Sequence, residues 1–208
     1  MSGTAPSTLP HVPRETLAGL ERYVEELRRW QRIKNLIGPG TLDQIWDRHI
    51  ADSLQLLDLA PPGAVTWVDL GSGAGLPGLP LAIAGRHRPG FHVHLVESNG
   101  RKCAFLRHAA RTCEAPVTVH EGRIEAVLPS LVGRVDVVTA RALAPLADLL
   151  AWTAPVLKSG ITGLFPKGRE AEAELTEARK SWTFEAELVP SRTDAAARIV
   201  RVTAVSPA

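Results

Sequence analysis

The sequence predicts a single α/β domain: a doubly wound, mostly parallel sheet with a helical extension at its N-terminus. Three observations lead there. From about residue 65 onward, short β-branched runs alternate with helical stretches, the pattern of a parallel sheet covered by helices on both faces. A dense group of glycines stands where the first strand of that alternation meets its first helix. The length, 208 residues, suffices for one domain with a full core but not for two large ones.

Taken in order, residues 1–14 are rich in Ser, Thr and Pro and are expected to form a disordered tail without the apolar run of a signal peptide. Leu17, Leu20, Tyr23, Val24, Leu27 and Trp30 recur at spacings of three and four, which predicts an amphipathic helix over 15–34. Gly38-Pro39-Gly40 ends it, and Thr41 with Gln44 three residues on opens a second helix as a capping box. That helix carries Ile45, Trp46, His49, Ile50, Ser53, Leu54 and Leu57, and Pro61-Pro62-Gly63 stops it. Residues 15–60 therefore read as a helical cap and 61–208 as the sheet domain, the two forming one compact unit. Strands are expected at 65–70, 91–97, 117–120, 135–140 and 161–165, with helices at 77–86, 101–113, 146–157 and 169–180. The runs 184–189 and 199–205 pair as a closing hairpin, placing one antiparallel strand at the edge.

A net charge of +2 excludes a polycation, yet basic residues cluster at Arg28, Arg29, Arg32 and Lys34, at Arg86, His87 and Arg88, and at Arg101, Lys102, Arg107 and Arg111. Such local faces hold phosphates even when the whole molecule is nearly neutral, although solvated helix faces look the same. Cys103 and Cys113 share one predicted helix at a spacing that suits neither a metal site nor a redox pair, so both are expected to be buried thiols and no metal is expected. Asp148 interrupts the best apolar stretch, so no membrane segment is expected and the protein reads as cytoplasmic.

The segment Val68-Asp69-Leu70-Gly71-Ser72-Gly73-Ala74-Gly75-Leu76-Pro77-Gly78 carries most of the chemistry. A strand turns sharply into a helix, and glycines let the backbone approach a ligand closely. Pro77 suits the first turn of that helix. Glu97 ends the second strand, where a carboxylate accepts the ribose hydroxyls of an adenosine cofactor. Gly73, Gly75 and Gly78 also satisfy the dinucleotide fingerprint G-x-G-x-x-G, which points to a nicotinamide enzyme. Against that, Gly71 already follows the strand and Asp69 sits at its end. An acid followed by G-x-G-x-G resembles the first motif of S-adenosylmethionine-dependent methyltransferases, and the chain has no room for a dehydrogenase's substrate domain.

The ordered set of motifs resembles the bacterial ribosomal RNA small subunit methyltransferase G family, also called glucose-inhibited division protein B. Arg48-His49-Ile50-Ala51-Asp52-Ser53-Leu54 is similar to its RHxxDSL element, with Asn35-Leu36 and Trp30 before it. Residues 71–78 are similar to its GxGxGLPG loop. Glu97-Ser98, Arg101-Lys102, Phe105-Leu106, Arg123-Ile124-Glu125, Arg141-Ala142 and Lys167-Gly168 follow in the family's order. Gln31 stands where the family often has Asn, and Ile37 where it often has Thr. The resemblance implies a Rossmann-like methyltransferase sheet, S-adenosylmethionine as cofactor, and methylation of a guanine at N7 in 16S rRNA near the decoding site. It also implies cofactor contacts from Gly71, Leu76, Ile124, Glu125 and Arg141, with Asp69, Gly73, Gly75, Glu97 and Ser98 completing the cofactor site.

N7 of guanine has a free lone pair and loses no proton on methylation, so the task is alignment and no catalytic base is assigned. Arg141 and Lys167, at the ends of the fourth and fifth strands, face the region where open sheets take substrates, and they are expected to align the RNA. Arg48, His49, Arg101, Lys102 and Arg123 complete the expected RNA contacts. Arg48 with Asp52, and His49 with Ser53, are also one helical turn apart and can simply pair on their own helix. The expected partner is 16S rRNA or the 30S subunit, bound by a monomer. Two further readings stay open: a methyltransferase acting on a small molecule or protein, and an rRNA-binding module that does not turn over.

Overall fold

The computed structural model describes residues 12–34, 36, 38 and 42–208, with no side-chain account of residues 32–34. Most of the expected tail, the capping Thr41, Asn35 and Ile37 lie outside the described residues. Helix α1 (Arg14–Lys34) buries Leu20, Tyr23, Val24 and Leu27, the stripe its spacing predicts. A short 3-10 turn (Leu42–Gln44) leads into a π-helical segment (Trp46–Ala51), then α2 (Asp52–Leu54) and α3 (Leu56–Leu59). The expected single second helix is thus broken up, and the reason lies in its inward residues. Ile45, Trp46, His49, Ile50, Ser53 and Leu54 are all buried. They are too many for one stripe at 3.6 residues per turn, and a π turn widens the helix to carry them.

Seven strands follow: β1 (Thr66–Leu70), β2 (His92–Glu97), β3 (Val117–Glu121), β4 (Val137–Ala140), β5 (Thr162–Lys167), β6 (Trp182–Pro190) and β7 (Arg198–Pro207). They are ordered β3-β2-β1-β4-β5-β7-β6, with β1 to β5 parallel. The closing hairpin forms the far end. Its strand β7 runs antiparallel between β5 and β6, and β6 lies outermost in the direction of the parallel strands. That arrangement brings the β6–β7 turn to the C-terminal edge of the parallel strands. The connecting helices are α4 (Gly78–Gly85), α5 (Gly100–Thr112), α6 (Ile124–Val127), α7 (Leu146–Leu157) and α8 (Ala171–Ala178).

Alternation along the strands sorts the core into two layers. Trp67, Val93, Leu95 and Val137 pack with buried residues of α1, α4 and α5. Val68, Leu70, Val96, Val138 and Ala140 pack with those of α7 and α8. The cap and sheet therefore share one hydrophobic core. Contact between α1 and α4 is close enough that a Cβ on Gly19 would lie 2.8 Å from Ile83. Cys103 and Cys113 are both buried, and among the described residues no helix is long and apolar enough to cross a membrane.

One polar bond ties the cap to the glycine turn: the Tyr23 hydroxyl, fully buried, donates to the Ala74 carbonyl at 2.8 Å. Tyr23→Phe leaves that carbonyl without its partner. The unfolding free energy should fall by about 1 kcal/mol, read as a lower urea midpoint at unchanged slope.

Candidate active site

Every site residue expected from the sequence stands at or near the C-terminal edge of the parallel strands, or on the cap that leans over it. The strand order reverses between β1 and β4, and open sheets bind ligands at that point. The backbone leaving β1 turns through Gly71 at φ +63°, and a Cβ there would come within 2.5 Å of Leu143. Ser72 N–H donates to the Val96 carbonyl and the Ser72 hydroxyl to the Asp69 carbonyl, fastening the turn to β2 and β1. Pro77 caps α4 from outside the helix, and Gly78, its first residue, donates N–H to Asp69 Oδ2 at 3.2 Å. No side chain fits at Gly78, since a Cβ would lie 2.3 Å from Leu95.

Asp69 has no exposed surface, and its Oδ1 has no hydrogen-bond partner among the described residues. Burial raises its pKa to about 7, against the opposing bond from Gly78 N–H and the attraction of Arg141. Glu97 is the second acid of the turn. Its Oε2 accepts Gly73 N–H at 3.0 Å and its Oε1 accepts Asn99 N–H at 2.8 Å. Around Gly73 the space is open, the nearest atom to an added Cβ being the Gly71 carbonyl at 3.7 Å. The open side of the turn thus lies beside Gly73 and the carboxylate at the end of β2, while Leu76 is buried beneath. Ser98 is exposed just after Glu97, and Ile124 and Glu125 open α6 after β3.

Beside the turn lies a cleft of about 1150 Å³, walled by the π-helical segment, the loops after β4 and β5, and the β6–β7 turn. Arg141 lines it, half-buried. Its Nη2 donates to the Arg48 carbonyl at 3.1 Å and to Nδ1 of His49. Its Nη1 lies 3.4 Å from Asp52 Oδ2, close enough to share charge but not aligned as a hydrogen bond. Asp52 Oδ1 accepts from Gln55 Nε2 at 2.8 Å and from the Thr193 hydroxyl at 2.9 Å, so the acid is held from both cap and hairpin. Lys167 also lines the cleft, with its ammonium 2.6 Å from the Ala144 carbonyl and 2.6 Å from Glu174. A phosphate would have to compete with that pairing.

The fold therefore gathers Arg48, His49, Arg141 and Lys167 around one cleft. Arg101, Lys102 and Arg123 stand apart, at the ends of β2 and β3 on the other side of the glycine turn. Arg101 and Arg123 are exposed, and Lys102 is half-buried in the first turn of α5. The intrahelical pairing foreseen for the cap forms only in part. The Ser53 hydroxyl donates to the His49 carbonyl at 2.6 Å, but Asp52 reaches across to Arg141. Tyr23, Leu143, Glu174 and Thr193 escaped the sequence reading. Tyr23 was legible only as an apolar stripe position, and nothing local marked the other three.

With this geometry in hand, known proteins supply the family. The pattern that describes rRNA small subunit methyltransferase G matches residues 16–199. The chain belongs to the rRNA small subunit methyltransferase G family. A relative of that name from Methylorubrum extorquens is 65% identical over 196 residues, covering 94% of this chain and 92% of the relative. Another from Parvibaculum lavamentivorans is 50% identical, covering 94% and 86%. Among solved structures, an O-methyltransferase from Bacillus cereus in complex with SAH superposes with a TM-score of 0.59 at 14% identity, covering 87% of this chain and 90% of that one. An O-methyltransferase from Streptomyces achromogenes in complex with SAM gives 0.59 at 14%, covering 89% of each. At such identities these structures confirm the Rossmann-like fold of the family member and no more.

The raised pKa of Asp69 has a direct consequence. Below about pH 4 the carboxyl is protonated whether the chain is folded or not. Between there and about pH 7 only the unfolded chain ionises, so native stability declines; above that range the loss is constant. Asp69→Asn lacks this group. Urea midpoints of wild type relative to the variant should therefore fall from pH 4 to pH 7 and then level off, whereas a flat difference would mean the carboxylate is not strained by burial.

Proposed function

We propose that this chain transfers a methyl group from S-adenosylmethionine to N7 of a guanine in 16S rRNA near the decoding site, acting as a cytoplasmic monomer on rRNA or the 30S subunit. The observation that carries the reading is the loop after β4. Leu143 packs on Gly71 of the glycine turn and, with Arg141, also lines the neighbouring cleft. A methyl donor on the turn and an acceptor base in the cleft would therefore meet at one loop. Family membership supports the rRNA substrate, and the open side of Gly73 beside Glu97 fits an adenosine-bearing cofactor.

When bound, S-adenosylmethionine supplies an electrophilic methyl group carried on a sulfonium. Glu97 would receive its ribose hydroxyls, Ile124 would lie against the adenine and Glu125 would bound that side. Asp69, Gly71, Gly73, Gly75, Leu76 and Ser98 would shape the rest of the pocket, and Arg141 would face both ligands. Guanine N7 would take the methyl with its lone pair as the S–CH3 bond breaks and the sulfur leaves as a neutral thioether. N7 has no proton to lose, so the chain supplies alignment and electrostatics in place of a general base. The base becomes cationic as it is methylated. Asp47, Asp52, Glu174 and Asp194 line the cleft and favour that positive charge. Arg48 at the rim, and Arg101, Lys102 and Arg123 beyond the turn, would hold the RNA backbone. Lys167 would position the loop after β4 through the Ala144 carbonyl.

Transfer of labelled methyl to 30S subunits or 16S rRNA lacking the modification, followed by digestion to nucleosides, tests the reading. Label in N7-methylguanosine at one site is expected, and label in any other nucleoside, or none, would overturn it. Gly73→Val should weaken cofactor binding at least tenfold while leaving RNA binding intact. Charge reversal at both Arg101 and Lys102 should reduce the slope of log affinity against log salt by about 1 to 2; an unchanged slope would remove them from the RNA interface.

A further inference from the structure

Two residues that line the cleft carry a buried N–H with no hydrogen-bonded acceptor among the described residues: His49 at Nε2, and Arg141 at Nη1, which faces Asp52 Oδ2 at 3.4 Å without hydrogen-bond alignment. An unpaired buried donor costs about 1–3 kcal/mol, and native proteins seldom keep one that no ligand or water receives. The two side chains are bonded to each other, Arg141 Nη2 to His49 Nδ1. A guanidinium carries only donors, so Nδ1 must be the acceptor and the imidazole proton must sit on Nε2. His49 is only 8% exposed. Burial, with Arg141 and Arg48 alongside, draws its pKa down to about 4, and the ring is neutral at pH 7.

The two orphaned donors differ in charge and so suit different acceptors. A guanidinium matches an anion, and Asp52 supplies one 3.4 Å from Nη1. A neutral imidazole N–H matches a carbonyl. We infer that His49 is a specificity-determining residue whose Nε2–H donates to O6 of the acceptor guanine, an inference that rests on the guanine-N7 reading above. O6 neighbours N7 on the same edge of the purine, so a donor there orients N7 without occupying its lone pair. Adenine presents an amino group at that position, donor against donor, and loses the bond. Neutrality matters as well, because positive charge arrives on the purine during transfer and an imidazolium would oppose it. Arg141 thus serves the base indirectly, fixing the tautomer and holding the ring uncharged.

The test is a cycle between base and protein. Subunits are reconstituted with 16S rRNA carrying either guanosine or 2-aminopurine, which keeps N7 and lacks O6, at the methylated position. For wild type, losing O6 should lower kcat/KM about tenfold or more, the value of one satisfied hydrogen bond in a site built for it. His49→Phe should lose a similar factor on guanosine and almost nothing further on 2-aminopurine. His49→Gln, which retains an N–H, should recover part of the rate, and this variant stands in if the phenylalanine does not fold. Additive losses, or a higher Kd for S-adenosylmethionine with O6 dependence intact, would overturn the assignment. So would equal rates for wild type on the two bases, whatever the variants do. No transfer by wild type to guanosine-bearing subunits would instead sink the guanine-N7 reading itself.

Discussion

The turn between β1 and α4 must fold back tightly enough for backbone, and no side chain, to line it, and a buried carboxylate keeps it there. Asp69 is sealed beneath the turn and holds the N–H of Gly78, the first residue of α4. Placing a carboxylate in that position is electrostatically unfavourable, as its raised pKa records. What offsets the cost is order. Ser72 is fastened to β1 and β2, Gly73 to Glu97 and Ala74 to Tyr23 of the cap. Each of these bonds has a turn residue as donor or acceptor, so a turn that opened would release all of them together.

The cap is part of the active edge and not a separate lid. Its helices share a core with the sheet, and its π-helical segment turns both Trp46 and His49 inward. Arg141 then joins its own loop to two pieces of chain far from it in sequence: the cap directly, through His49 and Asp52, and the closing hairpin through the bond of Asp52 to Thr193. Removing one partner would leave a buried charge uncompensated, which costs more than the pair itself contributes. The β7 strand has a part in this. Because it returns between β5 and β6, the hairpin turn arrives at the same edge as the loops after β4 and β5 and meets the cap there, Thr193 on Asp52 and Arg192 N–H on Gln55.

Charge in the cleft follows the same logic. Basic side chains (Arg48, Arg141, Lys167) and carboxylates (Asp47, Asp52, Glu174, Asp194) line it together. Opposite signs within one cleft are stable only because they are paired across elements, as in Arg141 with Asp52 and Lys167 with Glu174.

By itself the sequence determined the alternation of strands and helices, the position of the glycine turn, the acids at the ends of β1 and β2, and the family. All of these are written in local spacing: period two or near four for the elements, and the steric demand for glycine where backbone must approach backbone. Only the tertiary structure decided which charges meet. Arg48 and Asp52 stand one turn apart and read as partners, yet Asp52 turns to Arg141 and Thr193. Local spacing limits what a side chain can reach on its own helix. The choice among reachable partners follows from burial, because a guanidinium removed from water takes the nearest anion and acceptors that the fold delivers, here a carboxylate, a carbonyl and an imidazole from a segment some 90 residues away.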